Sequence, residues 1–169
     1  MIRRWTPGQW LLRTVVVLGV MVALFATVPA GATPAAWLVV LVLLCAGVFA
    51  VFPDSAAGAA ALLLVVAWWG VGLRDGLHPA ALVAAAGLVT AHVAATVADL
   101  GPGTLPLDRA VLTRWTLRGV LVLSAAVLAW GVATLVRDQP APAGLWLAGL
   151  FAAFVALLAA NLLFVRRPG

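Results

Sequence analysis

Long apolar runs separated by short polar breaks dominate the chain. Each run has 18 to 24 residues, and the six runs cover residues 10–28, 34–52, 56–73, 79–100, 113–136 and 143–165. At about 1.5 Å rise per residue, helices of these lengths reach about 27 to 36 Å. The hydrocarbon core of a bilayer is about 30 Å thick. The pattern therefore predicts an all-α, polytopic bundle of six transmembrane helices that forms a single membrane domain over residues 1–169.

Helix breakers and capping residues separate the runs. Asp54 or Ser55 can cap the third helix. The one longer connection spans residues 101–112, and its Pro106 suits a first helical position, so we expect a short interfacial helix over 106–113. The other connections are so short that neighbouring spans must run antiparallel, which leaves no room for an extramembrane domain.

The placement of arginine predicts the orientation. All ten basic residues are Arg, and if the N-terminus is cytoplasmic, eight of them lie inside while only Arg74 and Arg137 lie outside. The eight are Arg3, Arg4, Arg13, Arg109, Arg114, Arg118, Arg166 and Arg167. Because cytoplasmic loops carry an excess of Lys and Arg, both termini are predicted to be cytoplasmic. The eight tryptophans agree with this topology, since each falls near a span end, where Trp prefers to lie.

Composition excludes several classes of protein. Hydrophobic residues make up 66% of the chain and charged residues 9%, with a mean hydropathy of +1.19, which is far from a soluble domain. The pI of about 11.6 does not indicate nucleic-acid binding, because the arginines lie at the ends of apolar runs rather than on a polar surface. The lack of Lys, Glu and Tyr is typical of a GC-rich genome. We expect the chain to lie in the plasma membrane of a bacterium. The single cysteine, Cys45, lies in an apolar run and is expected to be a small buried hydrophobe.

The first run has an alternative interpretation. Arg3, Arg4, an apolar stretch and the small residues 28–32 resemble a cleavable secretory signal. The apolar part of such signals usually has about 7 to 15 residues, whereas this run has 19. We therefore expect an uncleaved first span; cleavage would leave five spans in the same orientation.

Span four has two distinctive faces. One face carries only small residues at helical spacing, which allow another helix to approach closely; these are Ala80, Ala84, Gly87, Ala91, Ala94 and Ala98. Another face carries His92, Thr96 and Asp99 at positions i, i+4 and i+7. A polar stripe in a bilayer is expensive and should face protein or water. It can form a path for a proton or solute, since His92 titrates near neutral pH when unperturbed, or it can pack against a neighbouring helix; we favour packing.

Span six offers a possible neighbour for that stripe. Asn161, one turn from its inner end, can hydrogen-bond Asp99 or His92 if spans four and six are adjacent. A second ridge of small residues, formed by Gly149, Ala152, Ala156 and Ala159, gives span six its own packing surface. The ridges on spans four and six predict contacts with other membrane proteins or with a second copy of the chain, and structural packing is the expected role of Asn161.

The inner end of span five is strongly basic. Arg109, Arg114 and Arg118 meet the negative cytoplasmic leaflet, where each basic residue contributes about 1 kcal/mol of attraction. We interpret these residues as a basic anchor that faces lipid. A docking site for a cytoplasmic partner is the alternative.

Motifs for catalysis, cofactors and metals are missing. There is no metalloprotease motif, phosphate-binding glycine loop or Gly-x-Ser-x-Gly motif, and the two histidines are predicted to lie about 21 Å apart along the membrane axis. The sequence therefore predicts neither an enzyme nor a cofactor or metal site. It favours a non-enzymatic component or accessory subunit of a membrane assembly. The alternative is a small transporter or solute-binding component; in size and span count the chain resembles the substrate-binding components of vitamin uptake transporters, a resemblance that concerns fold alone.

Overall fold

A computed structural model describes residues 5–73, 78–100, 108–135 and 137. This part of the chain is 84% helical and contains no strand. Its α-helices are α1 (Pro7–Phe25), α2 (Ala36–Val51), α3 (Ala56–Gly72), α4 (Ala80–Asp99) and α5 (Arg109–Leu135). A 3₁₀ turn, Val28–Ala30, follows α1 and ends at Gly31, whose φ of 93° suits glycine. The all-α fold predicted from the apolar runs is confirmed.

Three of these segments are long and apolar enough to cross a membrane. They are Pro7–Ala30, with 24 residues, Ala80–Asp99, with 20, and Arg109–Leu135, with 27. Helices α2 and α3 have 16 and 17 residues, so they reach about 24 and 26 Å, less than a hydrocarbon core of about 30 Å. The sixth predicted span, 143–165, lies outside the described residues. The structure thus supports three membrane-crossing helices, not the predicted count of six.

The start of α5 differs from the sequence prediction. A separate interfacial helix was expected over 106–113; residues 106 and 107 lie outside the described residues, and Arg109 already belongs to α5, which continues unbroken to Leu135. Asp108 caps this helix, because its Oδ1 accepts the N–H of Ala110 at 2.8 Å. No proline interrupts the segment after Asp108, so nothing separates an interfacial turn from the span.

Among the described helices, α1 and α4 make the most extensive contact. The predicted small-residue ridge of α4 is buried, and it faces α1, where Gly19 and Gly87 oppose each other. A Cβ placed on Gly87 would lie 2.5 Å from the carbonyl oxygen of Gly19, and one on Gly19 would lie 2.6 Å from the carbonyl oxygen of Gly87. Small residues let the two backbones approach to this distance. The prediction that another helix packs closely on this ridge is confirmed.

Helices α2 and α3 complete the core around α1. At one end, Gly58 of α3 leaves room for the ring of Phe49 on α2. At the other, two tryptophans of α3 bond to the end of α1: Trp68 Nε1 donates to Thr27 Oγ1 at 3.2 Å, and Trp69 Nε1 donates to the Ala23 carbonyl at 3.0 Å. These contacts join three helices whose facing side chains are otherwise apolar.

Helix α5 packs much more loosely. Gly119 is its one buried residue among those described, and it meets α4, since a Cβ on Gly119 would lie 3.2 Å from Val93 Cγ2. Large side chains along the rest of the helix are exposed, including Leu121 at 62% and Leu128 at 70%. Most of the α5 surface therefore lies free of the helices α1 to α4.

Candidate functional site

A cluster of polar side chains lies where the N-terminal part of α1, the C-terminal ends of α2 and α4 and the turn before α3 meet. We call it the Arg13 cluster and define it as Trp5, Gln9, Arg13, Asp54 and Asp99. Two members, Gln9 and Arg13, are one turn apart on the same face of α1. The first turn of α1 is fixed by Thr6, whose hydroxyl oxygen accepts the Gln9 N–H at 3.4 Å, and by Pro7 at the start of the helix.

Arg13 ties α1 to the end of α2. Its Nη1 donates to the carbonyl oxygens of Ala50 and Val51, the latter at 2.9 Å. These carbonyls belong to the last turn of α2, which leaves them without partners inside their own helix. A cation also complements the negative end of a helix dipole. Arg13, counted in the sequence as one of eight signals for orientation, is therefore also the C-terminal cap of α2.

Aromatic rings cover the guanidinium. Arg13 Cζ lies 3.9 Å from the centroid of the Trp5 ring, and Trp5 meets Trp10 edge to face with their centroids 5.1 Å apart. A guanidinium over an indole face gains cation–π attraction, which is stronger where water is excluded. The half-buried charge of Arg13 is thus held between an aromatic ring and two carbonyls.

Gln9 joins α1 to the end of α4. Its side chain is 1% exposed, and Nε2 donates to the Ala98 carbonyl at 3.4 Å. The other amide atom, Oε1, is buried and has no hydrogen-bond partner within the described chain. Arg13 Nε is likewise buried and has no hydrogen-bond partner within the described chain. Leaving a buried donor or acceptor without a hydrogen bond costs free energy. These two atoms can therefore accept and donate a further hydrogen bond.

Two carboxyl groups complete the cluster. Asp54, in the turn between α2 and α3, and Arg13 both lie close enough to Asp99, the last residue of α4, for their charges to act on it. Both aspartates are exposed. One positive and two negative groups therefore meet at this end of the bundle, an arrangement that can link three helix ends. In the described ranges, no three His, Cys, Asp or Glu side chains are grouped as metal ligands.

The predicted polar stripe of span four is divided by the structure. Asp99 belongs to the Arg13 cluster, whereas His92, about 10 Å away along the axis, is exposed. Thr96 is half-buried, and its hydroxyl donates to the His92 carbonyl at 2.8 Å, so it is satisfied within its own helix. Asn161 lies outside the described residues. His92 is thus exposed and separate from the Arg13 cluster, whereas Asp99 is exposed and belongs to that cluster.

The predicted basic anchor lies on the first three turns of α5. Arg109 and Arg114 are exposed, and Arg118 Cζ lies 4.8 Å from the centroid of the Trp115 ring. Arg114 and Arg118 are one turn apart on one side of the helix, and Arg109 lies on another. Trp115 itself packs against the core cluster that includes Leu12.

Gln9 and Asp54 were not recognised in the sequence as members of a site. The spacing of Gln9 and Arg13, four residues apart at the start of a long apolar run, is a signal for a polar face on α1. Asp54 carries no such signal, because its proximity to Asp99 depends on the packing of α2 and α3. Asp54 precedes α3 as predicted, but Ser55, which stands at the N-cap, makes no side-chain capping bond.

Comparison with known proteins gives no relative from which a role could be transferred: no protein-family model matches the chain, and no curated protein or solved structure is significantly similar to it.

Proposed function

We propose that this chain is a non-enzymatic component or accessory subunit of a membrane assembly, held by six spans in a bacterial plasma membrane with both termini in the cytoplasm. The three long helices support membrane insertion. Flanking apolar residues such as Phe52 and Leu73 extend α2 and α3 toward the length that a span needs. The excess of arginine on one side supports the orientation.

The observation that carries the proposal is the exposure of His92 within an apolar helix. Ionisable residues inside spans almost always face protein or a water-filled cavity. The opposite ridge of α4 is filled by α1, while His92 is exposed and lies seven residues from the end of α4. A helix of another protein, or of a second copy, that covers this face would shield His92 from lipid and so remove the free-energy cost of exposing it there.

The packing of α1 on α4 limits the surface that is available to a partner. The small ridge on span four is already buried against α1, and the ridge on span six lies outside the described residues. The proposed contact therefore uses the His92 face of α4 and the exposed outer side of α5 rather than the ridge of span four. Lipid covers the remaining apolar surface, and no nucleic-acid partner is proposed.

Purification in mild detergent, followed by identification of bound proteins by mass spectrometry, tests the proposal. We expect a defined partner or a defined oligomer to remain with the chain and to be lost on His92→Leu, with Thr96→Val as a matched control on the same helix. A monomer without partners that moves a solute when reconstituted in liposomes would reverse the proposal.

A small transporter or solute-binding component is the second candidate. The Arg13 cluster favours it, because two exposed carboxyls, a guanidinium and a buried amide lie together at one end of the bundle. A path along His92, Thr96 and Asp99 would have to be wet, whereas a packed interface would not. His92→Gln keeps size and hydrogen bonding but removes titration, so loss of a pH-dependent flux with unchanged thermal stability would support transport.

A further inference from the structure

An apolar groove of about 230 Å³ lies between α5 and the pair α1 and α4. On α5 it is lined by Leu112, Thr116, Gly119 and Leu123, and on α4 by residues that include Val97. The α5 stretch from Leu112 to Leu123 is about 17 Å long. The lining contains no charged residue. A groove of this kind on a membrane protein excludes polar ligands and accommodates a hydrocarbon chain.

The groove has a basic residue at one end. Arg109, Leu112, Thr116, Gly119 and Leu123 follow one another at steps of three and four, so Arg109 extends the groove face of α5 by one turn beyond Leu112. Arg109 is exposed. Leu112, one turn from Arg109, lines the groove together with Leu12 in the N-terminal part of α1 and Val97 in the C-terminal part of α4.

We propose that the groove binds one acyl chain of an anionic phospholipid whose phosphate is held by Arg109. The guanidinium matches phosphate geometry with two parallel hydrogen bonds. Asp108, the nearest acid in sequence, caps the start of α5, because its Oδ1 accepts a hydrogen bond from the N–H of Ala110. The apolar lining suits the acyl chain of a lipid, and the basic end suits its phosphate. A free phosphate or another soluble anion would use only the basic end.

Arg109, at the end of the groove, favours an anionic headgroup over a zwitterionic one. Arg114 and Arg118 lie on another side of α5 and are not part of the site. A headgroup that carries its own cation is disfavoured beside Arg109, whereas one with a net negative charge gains about 1 kcal/mol from this residue. Loss of one such contact weakens binding about fivefold. This lipid site is independent of the proposed assembly function.

The test measures lipid binding to the full chain in mild detergent micelles. Dioleoyl phosphatidylglycerol and dioleoyl phosphatidylcholine are titrated separately, and bound lipid is counted by native mass spectrometry. Arg109→Gln is compared with Arg114→Gln, which removes an exposed arginine from the same helix but from another face. Thr116→Phe fills the groove without changing charge. Glycerol phosphate, which carries the headgroup chemistry but no acyl chain, is added as a competitor.

We expect one phosphatidylglycerol to bind more tightly than phosphatidylcholine, about fivefold weaker binding of phosphatidylglycerol to Arg109→Gln, and unchanged binding to Arg114→Gln. We expect Thr116→Phe to weaken both lipids and glycerol phosphate not to compete. Equal losses in the two arginine variants would show general attraction to a basic surface and would overturn the site. Unchanged binding to Thr116→Phe, with the protein still folded by circular dichroism, would overturn the role of the groove. Competition by glycerol phosphate would assign the site to a soluble anion instead.

Discussion

Replacing Gly87 by alanine perturbs the close contact between α1 and α4. The added Cβ would lie 2.5 Å from the Gly19 carbonyl oxygen and 3.2 Å from the Ala23 backbone nitrogen, and neither is the end of a flexible side chain. The backbones of α1 and α4 must therefore move apart. Overpacking of this kind costs about 1 to 3 kcal/mol, while the change from glycine to alanine in a helix favours folding by about 1 kcal/mol.

A second glycine separates these two effects. Gly47 on α2 has nothing within 4 Å of an added Cβ, so Gly47→Ala retains the gain in helix propensity without the clash. We expect the free energy of unfolding of Gly87→Ala to lie about 1 to 3 kcal/mol below that of Gly47→Ala. Gly19→Ala strikes the same contact from the other side, so the double variant should lose less than the sum of the two single losses.

Unfolding by SDS in mixed micelles measures these free energies. Tryptophan fluorescence is a suitable signal, because Trp68 and Trp69 bond to the end of α1 and change surroundings when α1 leaves the bundle. Equal stability of Gly87→Ala and Gly47→Ala would refute the close approach of α1 and α4, and strict additivity of the two α1–α4 variants would show that Gly19 and Gly87 do not share one contact.

The remaining predictions concern the ends of the helices and the topology. Arg13→Gln removes the cap of α2 and should lower the free energy of unfolding by about 1.5 to 3 kcal/mol, with partial recovery in Arg13→Lys; equal stability of wild type and Arg13→Gln would contradict the cap. Trp69→Phe removes the bond to Ala23 and should cost about 0.6 kcal/mol in SDS unfolding, the average for hydrogen bonds in membrane proteins; a loss of several kcal/mol would indicate a packing role instead. In a Cys45→Ala background, a cysteine at Gln139 should react with an impermeant reagent from outside and one at Thr104 should not, and the reverse pattern would invert the proposed orientation.

The sequence predicts most of the helices and little of the Arg13 cluster. Apolar runs of 18 or more residues locate α1 to α5 to within four residues, because burial in lipid demands continuous apolar helices. The small ridge of α4 is also readable, since its period is that of a helix. The predicted runs extend one residue past the ends of α2 and α3. Phe52 and Leu73 are apolar and so continue each run, but they lie just beyond the last helical residue.

The composition of the site depends on tertiary packing. On a helical wheel, Asp99 shares a face with His92 and Thr96. In the fold, the charges that act on Asp99 are those of Asp54 and Arg13, which come from other elements. Arg13 has two roles that a positive charge near a span end cannot distinguish: it marks the cytoplasmic side and it binds the carbonyls of Ala50 and Val51. Contacts between residues 37 or more positions apart leave no local signal in a single sequence.

Photocrosslinking from position 92 in intact membranes tests the proposed assembly most directly. A photoreactive amino acid replaces His92, and the same group at Leu63, which is 67% exposed on α3, serves as the control for a surface that faces lipid. Membrane assembly predicts a discrete adduct of higher mass from position 92, formed with another protein or a second copy, and lipid adducts alone from position 63. Lipid adducts alone from position 92, or a crosslink from that position to another residue of the same chain, would contradict it.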